Sequence, residues 1–213
     1  MAAGKPSPRL AHGWRLMDAS QAPEGIVRYL IRPAVRAVPS SMARRLGPCQ
    51  ISIGPLAESE VTSRWIESDT GLEVFVTTTD LEEHDIAMDL LLCLGQALWG
   101  RLMARELRAY WRLLEREVDE GVTGEIDEQA LAERRAADGS RRSIEPYGLA
   151  SFAGTAAEYV HCLWHDVTIR SGPDHLPAPQ LRRRLELLAR WFPPDRGYRL
   201  FPRRQQKIKA AGH

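Results

Sequence analysis

The chain is short of most features that would assign it at sight. Its 213 residues hold three cysteines, Cys49, Cys93 and Cys162, and none sits in a Cys-x-x-Cys pair. An odd set without close pairs excludes a closed disulfide framework and a four-cysteine zinc site, and it suits a reducing compartment. A cytoplasmic location is therefore expected. Long hydrophobic runs are also missing. The most apolar stretch, Leu90 to Leu94, is far too short to span a bilayer. The N-terminus offers an early Lys5 and Arg9 but no apolar segment behind them, so no secretory signal is expected. Charge of one sign is absent too: 29 Lys and Arg face 28 Asp and Glu. Such a balance provides no global field for nucleic acid or an anionic membrane, and neither is expected as a partner. There is no phosphate loop, dinucleotide fingerprint, recognition helix or internal repeat.

What remains is the balance of an ordinary globular protein, 44% apolar and 27% charged, long enough for one sizeable domain with a real core. Residues 1–23 are rich in Ala, Gly, Pro and Ser without sustained periodicity and read as a flexible leader. Ile26 to Leu46 alternates Arg with aliphatic residues at helical spacing, interrupted by Pro33 and Pro39, which predicts two short helices. Gln50–Ile53, Trp65–Ser68 and Gly71–Thr77 read as strands, the last alternating Leu72, Val74 and Val76 with Glu73, Phe75 and Thr77. A helix follows, with Asp80 as its expected cap and Glu83 as capping-box partner. From Ile86 to Leu98 nearly every position is apolar, Asp89 and Gln96 excepted, the composition of a central buried helix. The amphipathic segment beyond Gly100 either continues that helix or breaks from it, and it ends near Gly121. Residues 121–142 are highly charged and read as a surface excursion with a short helix over Glu125–Ala137. Helices are expected over Ser151–Val167 and over Pro179–Phe192, the latter stopped by Pro193-Pro194. Residues 203–213 form a basic tail. The six Trp fall at core spacing on helices. The order predicts one α+β domain over 24–202.

The run Asp89-Leu-Leu-Leu-Cys-Leu-Gly-Gln-Ala-Leu-Trp99 has the small Gly95 and trailing Ala97-Leu98 of a zinc-peptidase helix reading Leu-His-Glu-Leu-Gly-His-Ala-Leu. Further on stands Tyr147-Gly-Leu-Ala-Ser-Phe-Ala-Gly-Thr-Ala-Ala-Glu-Tyr-Val160. Together with the strand Leu72–Thr77 ahead of the first helix, these stretches resemble the zincin-like metallopeptidases of gluzincin type. The resemblance implies a small mixed sheet packed on the active-site-type helix. It also implies that Glu158 matches the third zinc ligand, and that Tyr147 matches the tyrosine that steadies the oxyanion.

The departures govern the chemistry. Two His at i and i+4 put both imidazoles on one helix face at metal distance, and a Glu after the first acts as general base for the zinc-bound water. Here Leu92 and Gln96 occupy the ligand positions and Cys93 the base position. The family reaction is not expected: no catalytic residue, no zinc and no other cofactor. The expected function is that of a pseudopeptidase, a binding or scaffolding protein whose vestigial cleft of Leu92, Cys93, Gln96, Tyr147 and Glu158 holds a peptide or protein partner.

Other clusters compete with this reading. In Glu158-Tyr-Val-His161-Cys-Leu-Trp-His165 the two His are i and i+4, with Glu158 one turn earlier on the same face. They offer an alternative, a metalloprotein or metalloenzyme in a non-family geometry. Cys93, flanked by leucines, reads as a small buried hydrophobe rather than a nucleophile for which His161 or His165 serves as base. His84, in a first turn crowded with carboxylates, reads as exposed.

Overall fold

The computed structural model of the protein describes residues 8–17, 23–55, 62–79, 81–137, 141–165 and 172–201. Four strands make one sheet: β1 (Arg15–Met17), β2 (Cys49–Ile53), β3 (Ser63–Ser68) and β4 (Gly71–Val76), in the order β1-β2-β4-β3. The first, second and fourth are parallel, and β3 runs antiparallel to β4 at the sheet's edge. Alternation decides which face packs. Cys49, Ile51 and Ile53 of β2, with Leu72, Val74 and Val76 of β4, are buried, while the residues between them are half-buried.

The helices surround that face. A helical run over 24–37 comprises α1 (Glu24–Ile26), a π-wound turn (Val27–Ile31) and α2 (Arg32–Ala37), followed by α3 (Ser40–Leu46). After the sheet come α4 (Glu83–Trp99), α5 (Ala104–Asp119), α6 (Glu128–Ala136), α7 (Arg141–Trp164) and α8 (Ala178–Trp191). The chain is thus an α+β domain with a small mixed sheet. Among the described residues no single helix is long and apolar enough to cross a membrane.

Helices α4 and α7 form the centre. On α4, residues on every side are buried, including Leu90, Leu91, Leu94 and Leu98, each burial stabilising by about 1.5–3 kcal/mol. The two helices run antiparallel and touch at Gly95: a Cβ there would lie 2.8 Å from the carbonyl oxygen of Ala153 and 2.9 Å from its Cα. Gly95 is therefore a contact residue, and its missing side chain sets the interhelical distance. Trp99 closes one end, its ring centroid 5.4 Å from that of Phe152 and 6.1 Å from that of Tyr110.

Several expectations are corrected. Residues 8–17 are not a loose leader: β1 pairs with β2, and Trp14 and Leu16 are among the most buried side chains. A strand of three residues is too short to display an alternation. The break between the first helices falls at Pro39, whereas Pro33 lies inside the continuous helical run 24–37, just after its π-wound turn, and does not interrupt it. Helix α4 starts at Glu83 behind Glu82, so Glu83 is no capping-box partner, and Asp80 lies outside the described residues. The chain breaks after Gly100, with α5 bent from α4 by 117°. The stretch 121–142 is no mere surface excursion. Glu125, Ala130 and Leu131 are buried against α7, and Asp127 caps α6 by accepting the Ala130 N–H at 2.7 Å. The charges there misled because they pair inside the protein. The basic tail, 203–213, lies outside the described residues.

Candidate functional site

One face of α4 carries Asp89, Leu92 and Gln96, spaced three, four and seven residues apart so that they stack on one side. This face looks onto the edge strand. Between them is a cavity of about 400 Å³, lined by Thr62, Ser63, Arg64 and Trp65 of the β3 end, by Asp89, Leu92 and Gln96, and by Gln129 in the first turn of α6. The indole Nε1–H of Trp65 donates to Gln96 Oε1 at 3.1 Å, tying helix to strand at the position where the family resemblance places its second histidine. Thr62 and Ser63 hydrogen-bond the Asp89 carboxylate through their side chains, yet Asp89 Oδ2 is buried with no partner. Burial raises the Asp89 pKa above the ordinary carboxylate value, against the pull of those two hydroxyls.

The free edge beside this cavity has a definite polarity. Thr77 N–H donates to Thr62 O at 2.8 Å at the end of the β3–β4 ladder. Antiparallel pairs alternate between bonded and non-bonded, so residues 64 and 66 bond β4, while Ser63, Trp65 and Glu67 turn their main-chain groups outward. Among the described residues β3 has no neighbour on that side.

The structure separates the other residues expected in one cleft. Cys93 points into the core; burial pushes its thiol up to about 11, although a Ser63 hydrogen bond opposes the shift. Tyr147 is buried in a different place, donating its hydroxyl to Glu125 Oε1 at 2.6 Å. It belongs to a network centred on Arg184, which bonds Glu117 Oε1 at 3.1 Å and Glu125 Oε2 at 2.8 Å, all three without solvent exposure. Burial alone raises a carboxyl pKa, but the charge and hydrogen bonds of Arg184 outweigh it, and Glu125 titrates below its ordinary range. Ser151, Tyr110 and Thr155 extend the network: Arg184 reaches Ser151 Oγ at 2.8 Å, and the Tyr110 hydroxyl lies 2.9 Å from Thr155 Oγ1. Arg134 stacks over the Tyr147 ring at 5.8 Å. This is the machinery of a pinned core, and Tyr147 does not line the cavity.

Glu158 faces a third cluster. Its Oε2 lies 3.3 Å from His161 Nδ1, and its Oε1 is 3.8 Å from Cys162 Sγ. His161 stacks on His165 with centroids 5.4 Å apart. His84, half-buried rather than exposed, brings its Nε2 within 3.1 Å of His161 Nε2. Burial and the two neighbouring imidazoles lower its pKa below the ordinary histidine value. So the alternative trio, Glu158, His161 and His165, is brought together, but with its donors turned onto one another and onto His84. Among the described residues no group of three or more His, Cys, Asp or Glu is placed to hold a metal ion.

The residues that the sequence reading missed are Asp89, Trp65, Gln129 and His84. Asp89 and Gln96 carried a readable signal, as two polar breaks seven residues apart in an otherwise apolar helix; Gln129 and His84 carried none. Chemically, the cavity offers an indole and an aliphatic wall, amides, hydroxyls and one carboxylate. That set can hydrogen-bond and stack against a ligand, and its lining contains no thiol and no histidine. No family model, no curated protein and no solved structure matches this chain.

Proposed function

We propose that the protein is a zincin-like domain that has lost its catalytic apparatus and binds an extended segment of another protein along β3. The observation that carries this reading is that Leu92 and Gln96, standing where the resemblance places metal ligands, line one cavity directly against an antiparallel edge strand. The outward main-chain groups of Ser63, Trp65 and Glu67 accept a further strand, so affinity comes from backbone hydrogen bonds and selectivity from the side chain entering the cavity. The lining contains no thiol and no histidine, and on this reading the segment is held and not cut. The buried, unpaired thiols fit a cytoplasmic setting.

Fluorescence anisotropy with labelled peptides of about six residues, the length of a typical strand, tests the reading. Glu67→Pro removes one outward N–H without touching the bonds to β4, and edge strands tolerate proline. It is expected to weaken binding about tenfold, while Glu67→Ala binds like the parent. Equal binding by both variants and the parent would sink the strand-addition reading.

A further inference from the structure

The cavity beside β3 joins two kinds of surface. Trp65 and Leu92 give it an aromatic and an aliphatic wall, and Asp89 gives it a carboxylate, whose buried Oδ2 has no partner among the described residues. A buried oxygen of this kind costs about 1–3 kcal/mol unless a donor reaches it. Arg64, which also lines the cavity, does not turn its guanidinium toward Asp89. It faces Phe75 across the ladder while Trp65 faces Val74, so the two side chains leave β3 on opposite faces. The Arg64 guanidinium sits 5.0 Å from the Phe75 ring centroid, on the far side of the sheet from α4. The groups that act on the Asp89 carboxylate are the hydroxyls of Thr62 and Ser63 and a second carboxylate, Asp85; no cation is among them.

We infer that this cavity is the pocket for one basic side chain, lysine or arginine, of the extended segment held along β3, an inference that rests on the strand-addition reading above. The fit follows from the lining. A lysine or arginine stem is apolar and lies well between an indole and a leucine, and its cationic head is attracted to an aromatic face. At the end of the stem the head pairs with the Asp89 carboxylate in a charge-assisted interaction. Gln96 Oε1 already accepts the Trp65 N–H and keeps a second lone pair for the same head. An added strand turns alternate side chains toward α4, so a single register position is basic and its immediate neighbours point away.

The test uses the full chain and four labelled peptides identical except at one central position, which is lysine, arginine, norleucine or glutamate. The lysine and arginine peptides are expected to bind at least about tenfold more tightly than the norleucine peptide. Asp89→Asn, which keeps shape and removes charge, is expected to abolish that preference. Equal binding of lysine and norleucine peptides, or a preference that survives Asp89→Asn, overturns the inference and leaves strand addition standing. A second probe separates the two ideas: n-butylammonium chloride against n-butanol, read on the Trp65 indole N–H resonance, with assignment by Trp65→Phe. An Asp89-dependent shift with the ammonium alone, when no peptide binds, means that strand addition has failed and the cation pocket holds. No shift with either probe counts against the pocket. Lysine-peptide binding that emerges only after removal of residues 203–213 assigns the cavity to the chain's own basic tail and also overturns the inference.

Discussion

His84 Nε2 lies 3.1 Å from His161 Nε2, so the first turn of α4 is fastened to the far end of α7 by a hydrogen bond between two imidazoles. Such a bond needs one ring nitrogen with a proton and one without. With the His161 Nδ1–H donated to Glu158, its Nε2 is bare and accepts from His84. A proton added at His161 Nε2 leaves two donors face to face, whereas one added at His84 Nδ1 keeps the bond but sets a cation in a half-buried place beside the His161 and His165 rings, the latter's centroid 5.8 Å from that of His84.

The fastening makes stability depend on pH in a fixed direction. The His84 pKa is lowered from 6.5 by burial and by His161 and His165, with Asp85 and Glu158 pulling the other way. The unfolded chain therefore binds more protons than the folded one just below pH 6.5, and stability rises with pH through that window. The contribution is complete above the ordinary histidine value and is lost as pH falls below it. Urea midpoints measured from about pH 5 to about pH 7.5 should show this slope in the parent, flattened in His84→Gln. Parallel slopes in the two proteins would remove His84 from the explanation.

Gly95→Ala tests the contact between α4 and α7. A methyl group there meets the main chain of Ala153, which has no side-chain freedom to yield, so the helices must separate. A loss of about 1–3 kcal/mol is expected from urea unfolding. Gly100→Ala is the control: a Cβ there meets nothing within 4 Å. With its helical backbone, the change is expected to be neutral or to stabilise by about 0.4–1 kcal/mol. Similar losses at both positions would show that helix propensity, and not the close approach, sets the cost.

The core of the fold was legible because its signals are local. The alternation of Leu72, Val74 and Val76 wrote β4, and the apolar stretch from Ile86, broken only at Asp89 and Gln96, wrote α4 as the buried helix. Relations between distant segments were not legible. Leu16 and Trp14 enter the core through parallel pairing of Arg15–Met17 with residues 50–52, which three residues cannot announce. Glu125, in the charged stretch 121–142, looked like a surface charge because charge in a sequence carries no mark of its partner, and only the fold brings it and Glu117 onto the Arg184 guanidinium. Tyr147 and Glu158 share α7, as the resemblance implied, yet each is engaged elsewhere, one with Glu125 and the other with His161. The spacing along the helix was right, but it does not say which neighbour each face meets. His84 was assigned to solvent from its acidic neighbours in sequence, while its neighbours in space are two histidines.

The buried network should be costly to break and silent in binding. Arg184→Met leaves the Glu117 and Glu125 carboxylates in the core without their guanidinium, a loss of about 3–5 kcal/mol. Tyr147→Phe removes one donor from Glu125, whose charge Arg184 and Arg134 still balance, and should cost about 1–3 kcal/mol. Peptide affinity of folded Tyr147→Phe is expected to match the parent, because Tyr147 does not line the cavity. A large fall in affinity with unchanged stability would return Tyr147 to the binding site.

The thiols give a direct check on whether a nucleophile is available on these helices. Burial pushes Cys49 and Cys162 up to about 12 and Cys93 up to about 11. Thiolate is the reactive form, so two or more units above the ordinary value slow reaction about a hundredfold or more. In folded protein near neutral pH, a thiol-specific disulfide reagent should label all three far more slowly than in urea. Cys162, half-buried at the surface of α7, should be the first to react, and Cys49 and Cys93 should follow only as the protein unfolds. Mass spectrometry of the labelled peptides fixes the order. Rapid labelling of Cys93 in the folded state would mean that a thiolate stands on α4 where the resemblance places the catalytic base, and a domain that only binds would not need one.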